Sequence, residues 1–136
     1  MDISQELLEQ ILAHAREIPK EECCGLVAVE PGAPVRAAQV FRANNVHASP
    51  LRFEIEGEEL RELYSACLEV GDLGAIYHSH VRSEPYPSQT DINFAAKWPG
   101  VEWIIVGLVD PENPEIRSYL IEEGVVREVE IGQIAV

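Results

Sequence analysis

The sequence predicts an α/β domain in which helices pack against a mixed β-sheet. Three observations predict it. Two long stretches carry apolar residues at helical spacing, and short apolar runs bounded by Gly, Pro or charge lie between and after them. The 136 residues are 46% hydrophobic, and a chain of this length buries roughly 68% of its unfolded surface, enough for one core without disulfide staples. The expectation is a single domain over residues 1–136.

Ile3, Leu7, Ile11, Ala15 and Ile18 recur at three- and four-residue steps, Leu8 and Leu12 widen the stripe, and Pro19 ends it, so residues 3–18 read as an amphipathic helix. Residues 23–29 are a buried strand turned by Pro31-Gly32, and 35–42 a second strand. After a loop at 44–50, the alternation of Leu51, Phe53 and Ile55 with Arg52 and Glu54 predicts a short strand. Leu60, Leu63, Tyr64, Cys67 and Leu68 mark a second helix that stops at Gly71. Residues 73–79 read as a central strand, 80–89 as a loop holding Pro85 and Pro87, and 90–97 as a short helix before Pro99-Gly100. Residues 103–109 are the most apolar strand, and 115–121 with 125–131 form a hairpin around Glu123-Gly124. The order α-β-β-β-α-β-α-β-β-β implies a mixed sheet with helices against it.

The formal charge is −14, from 24 Asp and Glu against 10 Lys and Arg. Such a surface repels phosphates, which excludes nucleic acid and anionic membrane as expected partners. It serves solubility, or a basic protein partner. The first residues lack the charged and apolar regions of a secretory leader, and no apolar run approaches the ~18 residues of a membrane span. Cys23, Cys24 and Cys67 form no disulfide framework and point to a reducing cytoplasm. No C-x-x-C occurs, which excludes a zinc ribbon.

The chemistry concentrates at Tyr77-His78-Ser79-His80, the end of a predicted strand. Residues i and i+2 of a strand share a face, so two imidazoles can hold one metal while Ser79 points into the scaffold. Asp91 follows after a loop long enough to fold back. Two His and one carboxylate leave a fourth position open, the mark of a catalytic site. Ser88-Gln89-Thr90-Asp91 is equally a helix capping box, and the two readings are compatible. Glu21 and Glu22, just before a strand, supply a base or are surface acids.

Together these residues resemble the JAMM (MPN+) metalloprotease motif: His78-Ser79-His80, seven residues, Ser88, two residues, Asp91. Glu22-Cys23-Cys24-Gly25 resembles the segment bearing that family's catalytic Glu and selects Glu22 over Glu21. Asn44-Asn45, Ser49-Pro50, Arg52-Phe53, Ala75-Ile76-Tyr77 and Glu84-Pro85-Tyr86-Pro87-Ser88 are similar to short bacterial members, in particular the CysO-cysteine peptidase subgroup. The resemblance implies a cytidine-deaminase-like fold with a curved sheet. It implies one Zn2+ on His78, His80 and Asp91, Glu22 as general base, and Ser88 as oxyanion donor, with Ser79 as support. It implies hydrolysis after the C-terminal Gly-Gly of a ubiquitin-like sulfur-carrier protein, releasing cysteine. The tail would lie along a groove that includes Arg52 and Phe53. The alternatives are an isopeptidase that frees lysines from such a carrier, and a non-catalytic MPN scaffold, which should lack a ligand. A zinc nucleoside deaminase would need H-x-E and P-C-x-x-C, both absent. Oligomeric state is not legible.

Overall fold

The computed structural model describes residues 1–134. Its elements are β1 (Asp2–Ser4), α1 (Gln5–Glu17), β2 (Cys24–Val29), β3 (Ala37–Ala43), α2 (Gly57–Val70), β4 (Asp72–His80), α3 (Gln89–Ala95), β5 (Glu102–Gly107), β6 (Glu115–Glu122), β7 (Val125–Val129) and β8 (Gly132–Ile134). Six strands form an open mixed sheet ordered β3-β2-β4-β5-β6-β7. Within this sheet, among the described residues, only β4 and β5 run parallel to each other. β4 is flanked by β2 and β5 and is buried from Ala75 to His80, as its apolar run requires.

Both sheet faces are covered, and the period of two sorts the side chains between them. Ala75 and Tyr77 of β4 join Val27, Ile104 and Val106 against Leu8, Ile11 and Ala15 of α1. Ile76 faces the other way, with Leu26, Trp103 and Ile105, against Cys67 of α2 and Ala95 of α3. His78 and His80 follow Ile76 on that second face. They therefore emerge where the sheet meets α3 and the loop before it.

The helix stripe at 3–18 is shortened from the front. Ser4 caps α1, its hydroxyl accepting from Leu7 N–H, and Asp2–Ser4 pairs in parallel with Gly132–Ile134 instead. Three-residue strands carry too few positions to show a period, so neither β1 nor β8 was legible. The strand expected at 51–55 does not form. Only part of its alternation holds: Phe53 and Ile55 turn inward while Arg52 and Glu54 stay exposed, but Leu51, expected on the inward side, is 71% exposed. The segment is held by the Asn45 side chain and by one main-chain hydrogen bond, Val46 N–H to the Glu54 carbonyl, rather than by a neighbouring strand. The hairpin turn is as expected: Glu123 and Gly124 both have positive φ, 51° and 77°, the geometry that twists a two-residue loop to match its strands.

Two packing details bear on β4. Gly25 lies so close to the Tyr77 ring and to the Phe41 carbonyl that a Cβ there would overlap both. His14 is only 2% exposed. Its Nδ1 meets the Tyr77 hydroxyl at 2.6 Å behind β4. Burial, helped by nearby Arg42 and opposed by Glu17, holds the His14 imidazole below its ordinary value.

Above pH 6.5 His14 is neutral whether the chain is folded or not. Below it, the unfolded chain takes up a proton that folded His14 resists, so stability falls with pH. Urea unfolding at pH 7 and pH 5 should therefore show a larger loss for wild type than for His14→Gln; equal losses would show that His14 has no part in it.

Candidate metal centre

Register builds the centre. Cys24 pairs with His78 across β2 and β4, which places Glu22, two residues before the ladder, beside His80 at the strand end. Ser79 turns to the opposite face, where its hydroxyl accepts from Cys23 N–H at 2.9 Å. Its own N–H donates to the Cys23 carbonyl at 3.1 Å. The side chain thus fastens the residue next to Glu22. α3 brings the remaining acid. Ser88 caps α3 in a reciprocal box: its hydroxyl accepts from Asp91 N–H, and Asp91 Oδ2 accepts from Ser88 N–H at 2.9 Å.

The same Asp91 Oδ2 lies 3.2 Å from His78 Nε2 and 3.4 Å from His80 Nε2, and the two Nε2 atoms are 3.0 Å apart. Capping box and candidate ligand are one carboxylate. These separations fit a tetrahedral ion: ligand bonds of ~2.0–2.1 Å at tetrahedral angles put the donor atoms roughly 3.3 Å apart. The chemistry of the donors agrees. His80 Nδ1–H donates to the Glu84 carbonyl at 2.8 Å, which leaves the Nε2 lone pair free for the centre. Nδ1 of His78 has no partner among the described residues. Its ring is set by packing, stacked on Phe53 with centroids 4.5 Å apart and planes at 26°.

Glu22 completes the cluster, a carboxylate oxygen lying within 4.8 Å of a ring nitrogen of each histidine. All four side chains are buried, between 0% and 5% exposed. Their environments separate the two acids. Burial pushes Glu22 up to about 7, against the pull of His80 and with a further push from Asp91. Burial also acts to raise Asp91, but His78, hydrogen bonds from both imidazoles and Ser88 N–H outweigh it and hold the carboxyl well below the usual range. Burial lowers His78, and that effect prevails over Asp91. For His80, burial is overcome by Asp91, the Glu84 carbonyl and Glu22, and its value is raised. One acid stays ionised against the imidazoles while the other sits near neutrality. Paired carboxyls so divided can serve as ligand and proton carrier.

Of the residues singled out by sequence, His78, His80, Asp91 and Glu22 converge. Ser88 joins them through Asp91, and Ser79 through Cys23. Phe53 reaches the centre as the plate under His78. Arg52 is exposed and is tied in by its carbonyl, which accepts from Asn45 Nδ2 at 3.0 Å. His47 pairs with Glu54 at 2.9 Å and is not in the cluster. Cys23 and Cys24 are buried, and burial pushes both thiols up, Cys23 to about 11, so neither is an active nucleophile. Trp103 is core and Trp98 half-buried against Tyr64. Two contributors had no signal of their own: the Glu84 carbonyl, because any residue supplies one, and the Asn45 amide, visible only as part of an Asn-Asn pair in a loop.

Residues 4–122 match the family described as prokaryotic homologs of the JAB domain. The CysO-cysteine peptidase of Mycobacterium tuberculosis is 31% identical over 133 residues, 97% of this chain and 90% of the relative. The desampylase of Haloferax volcanii is 34% identical over 111 residues, 77% of this chain and 78% of the relative. A structure described as "JAMM: A Metalloprotease-like Zinc Site in the Proteasome and Signalosome" superposes with a TM-score of 0.61 at 19% identity, covering 99% of this chain and 98% of that one, which establishes the fold. The fold expected from the resemblance is the one found. With the family match spanning most of its length, this protein belongs to the prokaryotic JAB-domain family and is a hydrolase of the JAMM/MPN type.

Proposed function

We propose that residues 1–136 act as one zinc metallopeptidase domain, working in the reducing cytoplasm. It cuts the amide bond after the C-terminal Gly-Gly of a ubiquitin-like sulfur-carrier protein and releases cysteine. The observation that carries this is the convergence of His78, His80 and Asp91 on one point with Glu22 beside them. The three free, buried thiols suit such a compartment.

His78, His80 and Asp91 would hold one Zn2+, which two neutral imidazoles and one carboxylate suit. When bound, zinc supplies Lewis acidity: it acidifies water and polarises a carbonyl. Glu22, poised near neutrality, takes the proton of the attacking water and returns it to the leaving amine. Ser88 serves the oxyanion that develops at the scissile carbonyl. Its Oγ is already an acceptor from Asp91 N–H, so its own proton stays available, and the residue is exposed to an incoming substrate. One such donor is worth ~3–4 kcal/mol. Ser79 fixes Cys23 and hence the entry of Glu22.

The groove follows from the segment that failed to become a strand. Residues 52–54 are hooked on one side by Asn45 and by Val46 N–H to the Glu54 carbonyl. The main-chain groups of Phe53 and Ile55 have no hydrogen-bond partner among the described residues. An extended Gly-Gly tail adding as a strand along that side would satisfy them and run past His78, on which Phe53 stacks. Glycines suit the passage because they bring no side chain.

Two outcomes are expected. Glu22→Gln should keep one zinc per chain by elemental analysis and lose roughly 10²–10⁴ in kcat. Full activity would remove Glu22 as base, and loss of zinc there but not in Asp91→Asn would exchange the two acids' roles. In the second experiment the zinc-loaded protein is incubated with a ubiquitin-like carrier extended by cysteine, and separately with a carrier joined to a lysine side chain. Mass spectrometry should show release of free cysteine from the first. Cleavage of the lysine conjugate alone would select the isopeptidase, and cleavage of neither would leave the scaffold reading.

A further inference from the structure

We infer that Asn45 is the positioning residue for Glu22, acting through its side-chain amide on the Glu22 main chain. Glu22 precedes β2, so no ladder partner fixes its backbone. Its N–H donates instead to the Ser49 carbonyl at 2.8 Å. Its carbonyl accepts from Asn45 Nδ2 at 3.0 Å. Both partners lie in one loop, and Asn45 organises that loop. Asn45 Oδ1 accepts from His47 N–H at 3.1 Å and from Glu54 N–H at 3.2 Å. Nδ2 also reaches the Arg52 carbonyl at 3.0 Å.

One amide therefore uses both its donors and both its acceptor directions to join three stretches of chain. These are the lead-in to β2, the turn at 47–49 and the extended segment that carries Phe53. Such closure is what holds an irregular backbone in a single arrangement. The residue on the other side of Glu22, Cys23, is fixed independently by Ser79 from β4. Glu22 is thus clamped between a strand contact behind it and a loop contact ahead of it. Of the two loop contacts, the one at the Glu22 carbonyl passes through one replaceable side chain. The same amide ties the base to the plate beneath His78, so base and plate move together.

Asn45→Asp separates positioning from loop folding. An aspartate keeps the acceptor for His47 and Glu54 N–H, hence the turn, but loses the donor to the Glu22 and Arg52 carbonyls. Asn45→Ala loses both. With zinc at one per chain, both variants should lose roughly 10–100-fold in kcat, the scale of a small misplacement of a catalytic group. In a Glu22→Gln background, Asn45→Asp should cost less than about twofold more, because the group it positions is gone. This kinetic arm rests on the peptidase reading; a second arm does not. The Glu22 N–H itself donates to the Ser49 carbonyl. Residue-resolved hydrogen exchange should show it losing protection in both variants, because releasing the Glu22 carbonyl from Asn45 Nδ2 frees the lead-in to β2 from the loop even where the turn persists. Cys23 N–H should keep its own protection. Wild-type kcat in Asn45→Asp, an undiminished penalty in the Glu22→Gln background, or unchanged Glu22 protection would each overturn the role. Absence of activity in the zinc-loaded wild type as well as in every variant, with the exchange result as expected, would fault the peptidase reading and leave the positioning intact.

Discussion

Cys24 lies opposite His78 in the antiparallel pairing of β2 and β4, and Ser79 closes two hydrogen bonds on Cys23 just beyond it. That register decides what the strand end can do. With period two, it sends His78 and His80 to the face shared with α3 and keeps Ser79 for the scaffold. It also delivers Glu22 to the imidazoles from the neighbouring strand. A one-residue slip would turn the imidazoles toward α1 and bring a serine forward. The apolar sets on either side of β4 forbid the slip, because Ala75 and Tyr77 fit under α1 while Ile76 fits under α2 and α3. The large ring of Tyr77 in turn needs Gly25 opposite it.

Burial then gives the site its chemistry. Two carboxyls enter a space with almost no solvent. Asp91 arrives with compensation, accepting from Ser88 N–H and meeting both imidazoles. Glu22 arrives with little, and desolvation raises it to about 7. The difference comes from position: Asp91 sits in the first turn of α3, where free N–H groups are available, and Glu22 sits ahead of a strand, where its backbone rather than its side chain is hydrogen-bonded. The overall charge of −14 contributes nothing so specific, since most of its acids are exposed.

The sheet and the centre were legible because their signals are local or fixed in spacing. His78-Ser79-His80 needs only the strand period, and Ser88 to Asp91 only a capping box. Long helices and central strands announce themselves in the same way, and α1, α2, β4 and β5 fall where the pattern puts them within a few residues. What escaped depends on contacts between distant residues. β1 and β8 define each other across the whole chain. The segment at 51–55 keeps a strand's alternation only from Arg52 on, since Leu51 is exposed, and on one side Asn45 and Val46 take the backbone groups of Arg52 and Glu54 that a neighbouring strand of this chain would need. The stacking of Phe53 on His78 follows from that loop and from no period.

In the proposed centre His78, His80 and Asp91 form the ligand set while Glu22 stands beside it uncommitted. A crystal structure of the zinc-soaked protein, with anomalous data across the zinc edge, tests this directly. It should show one peak per chain, ~2.0–2.2 Å from His78 Nε2, His80 Nε2 and an Asp91 carboxylate oxygen, with Glu22 outside bonding distance. A peak bonded to Glu22 with Asp91 left in its capping box, or no peak between the histidines, would contradict it.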